Sequence, residues 1–281
     1  LIGVVVGAIG AQAQEKKTET TTTVTTTTVR PWTEPASRWQ KGSDILGKNV
    51  ENKQNENLGE VDDLIIDLDS GRIIYYFVNC EMGKECIVPA SAMFLPSDAK
   101  KFSLNTTKDQ IKAYAVEKKR LPEFGDRTYA TQVYTHYNVK PYWDASGTKT
   151  TTTEHVWYRF PARWQKASEL IGMDVRNQQN ENLGKIEDLA IDPDSNRVLY
   201  GVLSFGGFLG VGDKFFTVPW SSLRSTTADQ KTLLLSVDKD RLKTATGFDK
   251  KNWPNMAERT YSVEVHKFYG QEPYWVEPTK P

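Results

Sequence analysis

Asn55-Glu56-Asn57-Leu58-Gly59-Glu60-Val61-Asp62-Asp63-Leu64-Ile65-Ile66-Asp67 returns 125 residues later as Asn180-Glu181-Asn182-Leu183-Gly184-Lys185-Ile186-Glu187-Asp188-Leu189-Ala190-Ile191-Asp192. The match extends outward without a gap, from 38–77 to 163–202, with 22 of 40 positions identical. The copies diverge after Phe77 and Val202, and realign at Val88-Pro89 and Val218-Pro219. Each then closes with a matched arm ending in Pro-Tyr-Trp, at 141–143 and 273–275. So long a period predicts two tandem domains rather than a solenoid of small units.

Local chemistry predicts the elements of one copy. Ser43 and Ser168 are expected to cap one-turn helices that end at Gly47 and Gly172. Val50 and Val175 open short strands, and Asn-Glu-Asn-Leu-Gly reads as a turn in which Asn and Gly supply positive φ. Val61 and Leu64 have opposite parity, so one strand face can hold both only across a bulge near Asp62-Asp63, unless both faces are buried. Asp69-Ser70-Gly71 and Asp194-Ser195-Asn196 read as hairpin turns. Arg197–Phe205 is a strand apolar on both faces, so one face lines a core and the other needs a cover. Phe215–Val218 and Leu233–Val237 supply further strands, and Asp238 opens a helix through Leu242. The cover is expected from helical arms, where Tyr129, Val133 and Tyr137, like Tyr261, Val265 and Tyr269, recur every four residues. Asn138 and Gly270 stop these helices.

Outside the repeat, residues 1–10 are apolar and Ala11-Gln12-Ala13 follows, which predicts the remnant of a secretory signal peptide over 1–13. No stretch approaches the roughly 20 apolar residues of a membrane span. Export to a bacterial periplasm or medium is the expectation. The 36 basic and 36 acidic residues leave no excess positive charge for nucleic acid. Thr-rich tracts before each copy read as solvated linkers. In an oxidising compartment Cys80 and Cys86, flanking a predicted hairpin turn at 81–85, either form a disulfide or are two small buried residues. Their matched positions are Phe205 and Phe216.

The residues Leu-Ile-Gly-Met-Asp-Val (170–175), Leu-Gly-Lys-Ile-Glu-Asp-Leu (183–189), Val-Leu-Ser-Phe-Gly-Gly-Phe-Leu-Gly-Val-Gly-Asp-Lys (202–214) and Val218-Pro219-Trp220 resemble the PRC-barrel domain. That small barrel occurs in the H subunit of the purple-bacterial photosynthetic reaction centre, in ribosome-maturation proteins and in many bacterial proteins of unassigned role. The first copy matches through Phe77, then lacks the Gly-rich turn and has Ala90 where Trp220 stands. The resemblance implies a mainly β protein with some α, built from mostly antiparallel six-stranded barrels that bind other macromolecules. The expected division is a signal remnant at 1–13, a linker at 14–36, a first barrel at 37–116, its arm at 117–143, a linker at 144–161, a second barrel at 162–246, its arm at 247–275 and a tail at 276–281.

No catalytic, cofactor or metal site is expected. His136, His155 and His266 occupy unmatched positions, so the duplication preserves no histidine role. Asp67, Asp69 and Gly71 resemble part of a calcium loop, but Val78 stands where the bidentate Glu is required. The matched Asp63 and Asp188 are read as satisfying bulge or turn amides. Candidate contacts for a protein partner are Phe208 and Leu209, which either stand exposed on their Gly-flanked loop or fold back over the barrel mouth, with Trp220, and Trp143 and Trp275, which either meet a partner or clamp their arms to the barrel. The resulting expectation is a non-catalytic exported binding or scaffolding protein. A structural envelope or stress role is the alternative, and a reaction-centre-like role in photosynthetic electron transfer is disfavoured.

Overall fold

The computed structural model of the chain describes residues 35–118, 121–122, 124, 126–141, 143, 163–205, 214–225 and 231–275. The signal remnant, both Thr-rich tracts, His155, Phe208, Leu209, Tyr142 and the 276–281 tail lie outside these residues.

The first copy runs β1 (Gln40–Lys41), α1 (Gly42–Ile45), β2 (Asn49–Glu51), β3 (Asn57–Asp67), β4 (Ile73–Glu81), β5 (Lys84–Pro89), β6 (Met93–Phe94), β7 (Phe102–Leu104), α2 (Lys108–Ile111), β8 (Ala115–Glu117) and α3 (Arg127–His136). The second runs β9 (Trp164–Lys166), α4 (Ala167–Leu170), β10 (Asp174–Arg176), β11 (Asn182–Asp192), β12 (Arg197–Phe205), β13 (Lys214–Pro219), β14 (Leu223–Ser225), β15 (Thr232–Leu235), α5 (Lys239–Lys243) and α6 (Arg259–Phe268). The strands form two curled sheets, with orders β6-β7-β2-β3-β4-β5-β8 and β13-β12-β11-β10-β15-β14. Pairing is antiparallel except β2 with β7 and β10 with β15.

The bulge that parity demands lies between Val61 and Asp63, and its twin between Ile186 and Asp188. It turns Val61 and Leu64 both inward, at 1% and 0% exposure. The Asn-Glu-Asn-Leu-Gly turn is shorter than its sequence suggests. Asn55 (φ 60°) and Asn180 (φ 62°) take the left-handed position, and Gly59 (φ 133°) and Gly184 (φ 126°) also supply positive φ, but from within β3 and β11. Close approach adds to their role: a Cβ at Gly59 would stand 2.4 Å from the Asn79 carbonyl oxygen, and one at Gly184 1.9 Å from that of Ser204.

The main departure from expectation is where the leaders go. Each copy does not keep its own. β1 pairs with β11 of the second copy, placing Gln40 opposite Ile191 and Lys41 opposite Ala190. β9 pairs with β3 of the first copy, placing Lys166 opposite Ile65 and Trp164 opposite Asp67. β3 and β11 are 11 residues long, and their far ends would otherwise be bare edges. The exchange covers both, and one buried apolar cluster runs through both copies.

Each arm helix packs on its own copy. α3 lies against β5, with Tyr134 edge-on to Tyr75 at 6.0 Å. α6 lies against β13, with Tyr261 Oη and Thr217 Oγ1 2.6 Å apart. In α3 the predicted Val133 and Tyr137 are buried beside Ala130 and Tyr134, with Tyr129 half-buried, whereas in α6 the innermost row is rotated to Ser262 and His266, flanked by the half-buried Tyr261, Val265 and Tyr269. The small Ala130 and Ser262 allow the approach, and Ser262 Oγ hydrogen-bonds Tyr200 Oη. Asn138 (φ 52°) and Gly270 (φ 65°) end the helices as expected.

The exchange makes the linker dispensable for cohesion. A protease site placed in the Thr148–Thr153 tract should yield two halves that co-elute at the position of the uncut chain in gel filtration. Halves that separate without denaturant would show that the linker, not the seam, joins them.

Candidate functional site

The matched polar residues converge on the seam between the copies. Asp188 sits at the bulge of β11, 5% exposed. Its Oδ1 accepts from Leu189 N (2.7 Å) and from Ser43 N of the other copy (3.0 Å), and its Oδ2 accepts from Ser43 Oγ (2.5 Å). Asp63 repeats this with Leu64 N (2.9 Å), Ser168 N (3.1 Å) and Ser168 Oγ (2.5 Å). The sequence expectation of serine caps is therefore corrected. Lys41 and Lys166 hold the cap positions of α1 and α4 without side-chain bonds. A carboxylate from the opposite copy satisfies the amide of the first turn instead, and the serine hydroxyl donates to it.

A second pair of ties joins the leaders to the opposite hairpins. Arg38 Nε donates to both carboxylate oxygens of Asp194 (3.1 and 3.0 Å), and its Nη1 donates to Pro96 O (2.8 Å). Arg163 pairs with Asp69 through Nη2 and Oδ1, and its Nη1 donates to Ser225 O (3.2 Å). The two hairpin turns also bond to each other, Ile73 N to Asn196 O and Val198 N to Gly71 O, both 2.9 Å. Arg197 is 6% exposed there, with its guanidinium 4.5 Å from the Tyr274 ring centroid, and burial lowers its pKa to about 10.

Trp220 belongs to this seam. It is 5% exposed, its Nε1 donates to Leu68 O (3.2 Å), and a Cβ at Gly71 would meet its Cδ1 at 2.5 Å. At the twin position Ala90 faces Asn196, whose Nδ2 donates to Ala90 O (3.1 Å). The two divergences, Gly71 for Asn196 and Ala90 for Trp220, thus compensate in volume across the seam. Trp220, a candidate partner contact in the sequence, is buried here, and its indole fills space inside the chain. Trp143 is 9% exposed and packs edge-on to Tyr134 at 5.2 Å. Trp275 is half-buried, 6.0 Å from His266. Both pack on the helix of their own arm.

Cys80 and Cys86 form a disulfide, with Cα atoms 5.9 Å apart. In the second copy Phe205 and Phe216 take their places as an edge-to-face pair at 5.8 Å. The disulfide closes the β4–β5 hairpin, whose tip carries Met82 at 97% exposure.

Residues weighed for catalysis or metal binding are engaged elsewhere. Asp67 accepts from Ser70 Oγ (2.5 Å), and burial raises its pKa. His136 Nε2 contacts Gln110 O (2.8 Å), and His266 Nδ1 contacts Ser262 O (2.8 Å), with burial lowering the His266 pKa. Among the described residues no three His, Cys, Asp or Glu side chains are grouped to hold a metal ion. No helix among them is long and apolar enough to cross a membrane. A shallow depression of about 380 Å³ is lined by Val116, Glu117, Leu121 and Pro122, with one carboxylate among them.

Sequence reasoning missed Glu85. Its place in a charged stretch reads as turn, yet β5 starts at Lys84 and the Glu85 side chain is 1% exposed. The signal was its twin, Phe215, an inward strand residue. Glu85 lies beside the Asp62 carboxyl, with Lys166 Nζ of β9 at 3.8 Å, while Lys118 Nζ donates to Asp62 at 2.7 Å. Burial, then the hydrogen bond with Asp62, pushes the Glu85 carboxyl up to about 7. At Asp62 burial acts upward, but hydrogen bonds from Lys118 and Glu85 outweigh it and hold its carboxyl low.

Two curled, mainly antiparallel sheets, each followed by helical cover, define a duplicated β-barrel-like protein whose polar pairs serve the join. The PRC-barrel domain matches residues 41–111 and 165–242, more than half of the chain, which therefore belongs to the PRC-barrel family. No curated protein matches it.

Proposed function

We propose that this chain is a non-catalytic, exported binding or scaffolding protein, in which two PRC barrels with closing arms act as one rigid body toward a protein partner. The observation that carries this reading is Met82, 97% exposed at the tip of a disulfide-closed hairpin. An unbranched, polarizable side chain of this kind adapts to apolar partner surfaces. The segment between β12 and β13 of the second copy carries Phe208 and Leu209 in its sequence. Two apolar contact segments on lobes joined by exchanged strands would bind with avidity, because little freedom is left to lose on the second contact. The engagement of Asp63, Asp188 and the arginines in the seam supports the non-catalytic part. The disulfide supports an oxidising compartment.

Pull-down from a periplasmic fraction tests it. The chain should retain a protein that is lost when Met82, Phe208 and Leu209 are changed to Ser. No retained protein, or one indifferent to the changes, overturns the reading.

A further inference from the structure

The contacts across the seam fall into two sets. One set repeats with the same residue types in both directions: the Arg-Trp-Gln-Lys leaders on the opposite strands, Ser43 with Asp188 and Ser168 with Asp63, Arg38 with Asp194 and Arg163 with Asp69. Two first copies, or two second copies, could make all of these equally well. Taken alone, this set would let any copy pair with any other.

The other set exists only between unlike copies. Gly71 faces Trp220, and a Cβ at Gly71 would meet Trp220 Cδ1 at 2.5 Å. At the equivalent contact Ala90 faces Asn196, whose Nδ2 donates to Ala90 O at 3.1 Å. The second copy thus carries both bulky members and the first copy both small ones. Tyr76 adds a polar criterion. It is fully buried, and its Oη donates to Asn196 Oδ1 across the seam at 3.2 Å, while its twin in the second copy is Gly201.

With the same seam geometry, a pair of second copies would set Asn196 against Trp220 twice, and neither Asn196 would meet a tyrosine. A pair of first copies would set Gly71 against Ala90 twice, leaving voids and two buried Tyr76 hydroxyls without Asn196. Collision, void and unsatisfied polar groups each count against the wrong pair. We infer that Gly71, Ala90, Tyr76, Asn196 and Trp220 are the specificity determinants of the seam: each barrel presents a surface that accepts an unlike barrel and rejects its own kind. Two chains that meet therefore do not join through like copies. The seam closes within one chain, or by reciprocal exchange between two.

The full chain with a protease site in the Thr148–Thr153 tract tests this. Once it is cut, unfolded in urea and refolded by dilution, its halves choose partners freely, and native mass spectrometry counts the pairs. Unlike pairs should exceed like pairs by about tenfold or more. Trp220→Ala should raise the share of second-half pairs, since each Asn196 then faces an alanine as it does in the native seam. The uncut chain gives an independent reading. Gly71→Asn should lower the urea midpoint, and adding Trp220→Ala, which recreates the Asn196–Ala90 contact, should recover part of that loss. Like and unlike pairs in equal amounts, an unchanged share of second-half pairs in Trp220→Ala, or losses that simply add in the double variant, overturn the proposal.

Discussion

Asp188→Ala should lower the free energy of unfolding by roughly 1–3 kcal/mol, read as a fall in the urea midpoint at unchanged slope. The side chain accepts three hydrogen bonds, two of them from Ser43 across the seam. Its removal leaves the buried Leu189 amide without its acceptor, and strips the exposed Ser43 of its partner as well. The buried loss costs about 1–3 kcal/mol, whereas water can take the acceptor's place at Ser43. Ser43→Ala removes one donor and should cost less. The double variant should cost less than the two singles together, because both act on one contact. A loss below about 1 kcal/mol in Asp188→Ala would mean that the seam is held by apolar packing alone.

Gly184→Ala should be at least as damaging. Gly184 has φ +126°, a region that L side chains rarely adopt, and the added Cβ would stand 1.9 Å from the Ser204 carbonyl oxygen. That oxygen is backbone of β12, so relief requires the strands to part. Strain and lost pairing together amount to roughly 3–5 kcal/mol. Gly172→Ala is the control. Its φ is +92°, but nothing lies within 4 Å of the added Cβ, so only the conformational term of about 1–2 kcal/mol remains. Thermal unfolding of the two variants separates strain from collision. Equal losses would show that collision contributes nothing.

Several local features were read correctly, although the caps expected of Ser43 and Ser168 were not. The parity conflict between Val61 and Leu64 located the bulge, and Asn138 and Gly270 marked the ends of the arm helices. These features depend on a few neighbouring residues. The strand exchange depends on a choice between two equivalent partners. Arg-Trp-Gln-Lys is identical in both leaders, and β3 and β11 share most of their residues, so no local pattern distinguishes pairing within a copy from pairing across copies. Trp220 was misread for a related reason. Its complement, Gly71, lies in the other copy, and each looked like an isolated divergence. Glu85 was hidden by charged neighbours, although comparison with Phe215 would have placed it inside.

The crossed leaders also constrain how the chain can be made. The far end of β3, at Ile65–Asp67, pairs with β4 on one edge, and its other edge pairs with Trp164–Lys166, nearly 100 residues further on. At ribosomal rates of about 5–20 residues per second, the first copy waits roughly 5–20 s with that edge unpaired. The leader around Gln40-Lys41 waits longer, since its partner ends at Ile191. A product truncated between the copies would carry a permanently bare strand edge, the usual template for aggregation. The duplicated halves therefore mature as a single cooperative unit, and the N-terminal copy needs shielding until its sibling arrives.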